Sequence, residues 1–186
     1  FSSFPLKNGK WEKEGGAFLT GKTVGIIGCG HIGTDIIYLL QPFNCQILIC
    51  DILDKSGVVD TYGATQVLQD ELLAEADVIS LHVPLTELTQ GMVNEEFLQK
   101  MKPTEYLINN SRGPVVNQKA LKNALQEKII AGAALDVFES EPPDDIEFLD
   151  LPNLMVTPHI GGSANEAILA MGRSAISNLN RHFQND

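Results

Sequence analysis

Cationic side chains are scarce in this sequence. Its 186 residues carry 13 Lys and Arg against 24 Asp and Glu, a formal net charge of −11. That balance speaks against nucleic acid or an anionic membrane surface as a partner, because both recruit basic patches. It does not forbid a small anionic ligand, since exposed charges are screened over ~8 Å at physiological salt and one arginine with one helix terminus decides binding locally. Long apolar runs are missing too, and none approaches the ~18 residues that a membrane span needs. Cysteine is sparse and odd in number, with Cys29, Cys45 and Cys50 at no metal-ligating spacing. No metal site is expected, and a reducing cytoplasm is the expected compartment. Residues 1–5 offer no initiator Met and no basic-then-apolar leader, and read as the start of a piece cut from something longer. What is present, 44% hydrophobic and 6% aromatic, is the composition of an ordinary globular core, in a length that suits one large domain.

Residues 1–20 have mixed polarity, three glycines and no periodicity, and are read as a lead-in segment. Residues 21–186 form the predicted domain. Apolar runs predict strands over 23–27, 46–50, 65–67, 78–81, 106–108, 130–135 and 154–156. Between them, helices are predicted over 31–40, 71–76, 95–100 and 120–127, the last capped by Asn117. Residues 139–150 read as an acidic, proline-containing loop. Ser163 is expected to cap a long final helix reaching about Phe183, with Ile168, Met171, Ala175, Ile176 and Leu179 on one face. Near-continuous apolar strands alternating with helices predict an α/β fold, a doubly wound parallel sheet covered on both faces.

The first strand runs into Gly28-Cys29-Gly30-His31-Ile32-Gly33, a G-x-G-x-x-G turn opening a helix. In a dinucleotide-binding (Rossmann) unit the first glycine permits the tight turn, the second lets a pyrophosphate approach the backbone, and the third allows close helix–strand packing. A glycine-rich turn needed only for packing is the plainer alternative. Asp51 tips the balance, standing at the end of the second strand, 18 residues past Gly33. There an acid holds a ribose hydroxyl and repels a 2′-phosphate, so NAD is expected rather than NADP. Further polar groups follow other strands: His82 before Val83-Pro84, then Asn110-Ser111-Arg112-Gly113, Asp136 and His159. In open α/β sheets the ligand crevice lies outside these carboxyl ends, so five strands deliver their groups to one rim.

Taken together, these motifs resemble the NAD-binding domain of the D-isomer-specific 2-hydroxyacid dehydrogenases. The resemblance runs from about Gly21 to His182 through Gly28–Gly33, His82-Val83-Pro84-Leu85-Thr86, Asn110-Ser111-Arg112-Gly113, Leu135-Asp136-Val137-Phe138-Glu139-Ser140-Glu141-Pro142 and Pro158-His159-Ile160-Gly161-Gly162. Loop lengths between motifs place it nearest the phosphoglycerate dehydrogenases. The resemblance implies an NAD-dependent enzyme acting on a small 2-hydroxy or 2-oxo acid. Arg112 would bind the substrate carboxylate, His159 would carry the proton, and Glu141 would orient His159. Asp136 would contact the nicotinamide carboxamide. The amides of His31 and Ile32 would hold pyrophosphate, and Val83, Pro84 and Thr89 would line the adenosine side. Asn110, Ser111, Gly161 and Gly162 would complete the cofactor contacts. By its own surroundings Glu141 reads only as a solvated acid, and His82 and Cys29 read as structural.

The family also has a substrate domain, built mostly from sequence before the cofactor domain. Only about twenty residues precede the first strand here, so that domain is expected to be absent from this chain. A homodimer is expected, with Trp11 as an aromatic anchor. Two rival readings stay open: an NAD-sensing binding protein like the corepressors of the same family, and a bare cofactor-binding module. The identity of the acid is open as well, among 3-phosphoglycerate, glycerate or hydroxypyruvate, and lactate-type substrates.

Overall fold

A computed structural model describes residues 8–11 and 16–183. Part of the predicted lead-in therefore lies outside the described residues. The chain runs β1 (Thr23–Ile27), α1 (His31–Leu40), β2 (Gln46–Cys50), α2 (Ser56–Tyr62), β3 (Thr65–Gln66), α3 (Gln69–Glu75) and β4 (Val78–Leu81). It continues with α4 (Glu95–Lys100), β5 (Tyr106–Asn109), α5 (Gln118–Gln126), β6 (Gly132–Leu135), α6 (Ile146–Leu149), β7 (Leu154–Val156) and α7 (Asn165–Phe183). The seven strands form one sheet in the order β3-β2-β1-β4-β5-β6-β7, parallel throughout. The order reverses between β1 and β4, and a crevice opens at that switch point above the strand ends.

Alternation along the central strands divides the core. Val24 and Ile26 of β1 and Ile47 and Ile49 of β2 pack with Ile37 of α1, while Val58 and Tyr62 of α2 close the edge of that cluster. Ile27 and Leu48 point the other way and join Leu72 and Leu73 of α3, Phe97 of α4 and Leu121 of α5. Burying each such side chain contributes about 1.5–3 kcal/mol. The first cluster reaches only β1 and β2. Beyond it, Tyr106 and Met155 remain exposed, and Val78, Ile108 and Ala134 help line an apolar hollow of about 530 Å³.

The ends of β3, α3, β5, α5 and β6 shift by one or two residues from expectation, and three further elements differ. α2 arises in a stretch with no side-chain cap, and it ends where Gly63 turns left-handed at φ +67. α6 interrupts the acidic loop, because the Asp145 side chain accepts from Phe148 N at 3.0 Å and caps a single turn. α7 opens at Asn165, with Ala164 O accepting from Ile168 N, so its start lies past Ser163. Its apolar stripe is exposed, with no residue of the helix buried. No helix among the described residues is long and apolar enough to cross a membrane.

Candidate active site

The rim above β1 and β4 is built first by the glycine turn. Gly28 adopts φ +89, and a Cβ on it would stand 2.6 Å from the carbonyl oxygen of His82, so no other residue fits there without a shift. Gly30 caps α1 with no side-chain hydrogen bond, and a Cβ there would meet nothing within 4 Å. The first amides of α1, those of His31 and Ile32 among them, thus face an opening suited to phosphate. Gly33 is buried against Gly28 and Ile26.

Asp51 locks onto this turn. Its Oδ2 accepts from Cys29 N at 2.7 Å and its Oδ1 from Leu53 N at 2.9 Å. Burial pushes this carboxyl up, but the Leu53 and Cys29 amides and the nearby Lys55 outweigh it and hold it below its ordinary value. Asp51 is therefore a charged acceptor at the end of β2. An uncapped helix start, an open glycine and this carboxylate fit a dinucleotide with an unmodified ribose.

Above β4 and β5 lies a cleft of about 200 Å³ lined by Ile32, His82, Val83, Pro84, Asn110, Ser111 and Arg112. The cofactor turn and the predicted carboxylate-binding arginine therefore share one cavity. Asn109, buried at the end of β5, organises the arginine's turn. Its Oδ1 accepts from Ser111 N at 3.0 Å and Ser111 Oγ at 2.8 Å, and its Nδ2 donates to Arg112 O at 3.0 Å. Arg112 donates one bond from Nη1 to Ser111 O at 2.6 Å and is otherwise exposed. His82 Nε2 pairs with Ser80 Oγ at 2.9 Å, and burial pushes this imidazole down, toward the neutral form. Thr89 uses its hydroxyl to fold its own loop, donating to Pro84 O at 2.6 Å and accepting from Thr86 N at 2.8 Å.

The loop after β6 and the turn after β7 carry a carboxylate–imidazole pair. His159 Nδ1 stands 2.8 Å from Glu141 Oε2, and Phe138 N donates to the other carboxylate oxygen at 3.1 Å. These two contacts, with the imidazole first, hold the Glu141 carboxyl below its ordinary value. His159 itself is left-handed, at φ 54. Asp136 fixes this turn: Oδ1 accepts from Thr157 Oγ1 at 2.5 Å and Ile160 N at 2.8 Å, and Oδ2 accepts from Gly161 N at 2.8 Å. Burial pushes Asp136 up, and those three donors more than offset it. Gly162 stands beyond the turn, with open space where a Cβ would be.

The structure thus joins Glu141 to His159, Asp136 to the 157–161 turn, and Asp51 to the glycine turn. Arg112 is grouped with Ile32, Val83, Pro84, Asn110 and Ser111. Thr89 is joined to Pro84 through its hydroxyl, and Gly162 follows Gly161 with open space where a Cβ would be. Asn109, Thr157 and Lys55 were not foreseen. Lys55 had one signal, its place four residues after Asp51.

Residues 3–161 match the family described as D-isomer specific 2-hydroxyacid dehydrogenase, NAD binding domain. The chain belongs to this family. NAD is accordingly its cofactor. The NAD binding domain is 43% identical over 183 residues to a glyoxylate reductase of Pyrococcus furiosus, covering 94% of this chain and 54% of that protein. It is 38% identical over 170 residues to a D-3-phosphoglycerate dehydrogenase of Bacillus subtilis, covering 90% of this chain and 32% of that one. A D-lactate dehydrogenase of Aquifex aeolicus, solved with NAD and lactic acid, superposes with a TM-score of 0.90 at 30% identity, over 99% of this chain and 61% of its own. The chain spans about half the length of the glyoxylate reductases it matches.

Proposed function

We propose that this chain is the cofactor-binding and proton-transfer half of an NAD-dependent oxidoreductase that interconverts a small D-2-hydroxy acid and its 2-oxo acid. The observation that carries the reading is the 2.8 Å pairing of His159 Nδ1 with Glu141 Oε2, on the same sheet edge as Arg112. NAD, when bound, accepts or supplies the hydride at C2 of the acid. Glu141 accepts from the Nδ1–H of His159, which leaves Nε2 to exchange the proton of the substrate oxygen. Arg112 presents a guanidinium fork to the substrate carboxylate. Asp136 holds the turn that aims His159.

A small unphosphorylated 2-oxo acid of the glyoxylate or hydroxypyruvate kind is the preferred substrate, supported by glyoxylate reductases 41–43% identical to this chain. The 38% identity to phosphoglycerate dehydrogenase supports a second reading, with 3-phosphoglycerate as the acid. The free thiols of Cys29, Cys45 and Cys50 support a cytoplasmic setting. The deciding experiment follows NADH oxidation by the full-length parent protein with glyoxylate, hydroxypyruvate, 3-phosphohydroxypyruvate and pyruvate in parallel. The highest kcat/KM is expected for glyoxylate or hydroxypyruvate. A strong preference for the phosphorylated acid would establish the second reading, and no turnover with any of the four would remove the enzyme reading.

A further inference from the structure

The ribose corner carries a cation that the assignment of Asp51 leaves out. Lys55 Nζ lies 3.5 Å from Asp51 Oδ2, and the two side chains are only 15% and 11% exposed. Charges this sheltered are screened far less than a surface pair. The lysine is also held in place rather than waving free. Its amide donates to Gln66 Oε1 at 2.8 Å, and Gln66 Nε2 donates back to Leu53 O at 2.9 Å and Asp51 O at 3.4 Å. Gln66, on the short strand β3, thereby pins the turn from Asp51 to Lys55. Asp51 in turn holds Cys29 N of the glycine turn, so the whole network Gln66–Lys55–Asp51–Cys29 belongs to the cofactor cradle.

We propose that Lys55 is a specificity-determining residue that softens the rejection of 2′-phosphorylated dinucleotides imposed by Asp51. The inference rests on the NAD reading of this site. An unmodified ribose offers hydroxyls, which need an acceptor and gain little from an ammonium. A 2′-phosphate meets two opposed charges here, repulsion from Asp51 and attraction to Lys55. The carboxylate's other contacts are neutral amides, from Cys29 and Leu53, so Lys55 is the ionic counterweight the corner contains. The corner therefore prefers NADH while leaving NADPH a measurable affinity, and the ratio between them is set by Lys55.

The test is direct titration of this chain with NADH and with NADPH, read by calorimetry and by nicotinamide fluorescence without any substrate. Wild type is expected to bind NADH the more tightly. Lys55→Met should weaken NADPH binding about tenfold relative to NADH, roughly 1.4 kcal/mol in the ratio. Lys55→Arg keeps the charge and should keep the wild-type ratio. Asp51→Asn, with Lys55 retained, should move the ratio about tenfold toward NADPH. An unchanged ratio in Lys55→Met, or a parallel loss of both ligands there, would overturn the inference while leaving the NAD reading intact. A wild-type chain that binds neither ligand would overturn the NAD reading and this inference with it.

Discussion

Glu141 and His159 touch through one oxygen and one nitrogen, so the charge of the pair can be altered without altering its shape. Glu141→Gln keeps the shape and removes the carboxylate that faces Nδ1. In the full-length parent, kcat should fall about tenfold or more in both directions, because an amide can meet Nδ1 as a donor and leave the imidazole in the wrong tautomer. His159→Asn should cost about a hundredfold or more in turnover in both directions, the usual scale of lost acid–base catalysis, with NADH affinity little changed. An unchanged kcat in Glu141→Gln would take Glu141 out of the mechanism. Away from the site, Glu105 is fully buried, with Oε2 accepting from Lys102 N and Oε1 without a hydrogen-bond partner among the described residues. Burial pushes its carboxyl from 4.5 to about 7. Below about pH 4.5 it is protonated in the folded and unfolded chain alike. As pH rises toward 7 the unfolded chain releases a proton that the folded chain keeps, so stability falls, by about 3 kcal/mol once both are ionised. Glu105→Gln should flatten that decline in urea titrations at pH 5 and pH 8, and an undiminished decline would show that another group causes it. These two acids also mark what sequence can tell at this scale. Arg112, Asp136 and His159 are readable because each follows a strand. Glu141 is one acid among several in residues 139–150, and only the folded turn shows which of them meets the imidazole.

The elements that carry the rim were readable where apolar spacing is strong. α1, β1, β2, β4, α4 and β7 occupy the residues their patterns predict. α2 escaped because Gly57 and the β-branched Val58, Val59 and Thr61 are poor helix formers, so packing of Val58 and Tyr62 decides its state. α6 is a single turn among acids, too short to show a period. It matters because it helps fasten the loop that carries Glu141. Residues 118, 122 and 126 recur at one-turn spacing on α5 and grip that loop in sequence. Gln118 N donates to Glu139 Oε1 at 2.9 Å, Lys122 Nζ donates to Asp145 and Glu147 at 2.9 Å, and Gln126 Nε2 donates to Glu147 Oε1 at 3.4 Å. Lys122→Met should loosen the loop and lower kcat severalfold in the full-length parent while NADH binding holds, as stopped-flow and titration would report. At the start of the same helix, Asn117 Oδ1 accepts from Ala120 N at 2.9 Å. Asn117→Ala should cost about 1 kcal/mol in denaturant titrations, the typical value of a lost cap. A neutral result would mean that packing of Leu121 and Leu125, rather than the cap, fixes the helix start.

At the scale of the molecule, several surfaces lack the cover that a doubly wound sheet normally has. The hollow beside β5, the stripe of α7 and the side chains of Trp11, 79% exposed, and Phe18 all present apolar area to solvent. Self-association is one way to cover such area, and sedimentation at micromolar concentration should return about twice the 20.3 kDa chain mass. A monomer there would reject a homodimer for this chain. The proposed catalytic rim is open in the same sense. Arg112 is exposed, and the His159 and Glu141 side chains are 51% and 38% exposed although they pair at 2.8 Å. Water reaching such a site competes for the arginine fork and weakens every charge that should act on the substrate. NADH binding does not need that enclosure, since the glycine turn, Asp51 and the start of α1 are all built within this chain. The glyoxylate reductases it matches are about twice as long, and we propose that a further domain closes over Arg112 and His159. The chain alone should therefore bind NADH with the affinity of its full-length parent, yet reduce glyoxylate or hydroxypyruvate at least about a hundredfold more slowly, the order expected when positioning and exclusion of water are lost. Comparing NADH titration and steady-state reduction on both proteins separates the two halves of the claim. Equal turnover would mean that the groups on this sheet edge suffice by themselves, and a lost NADH affinity would mean that the cradle is not complete in this chain.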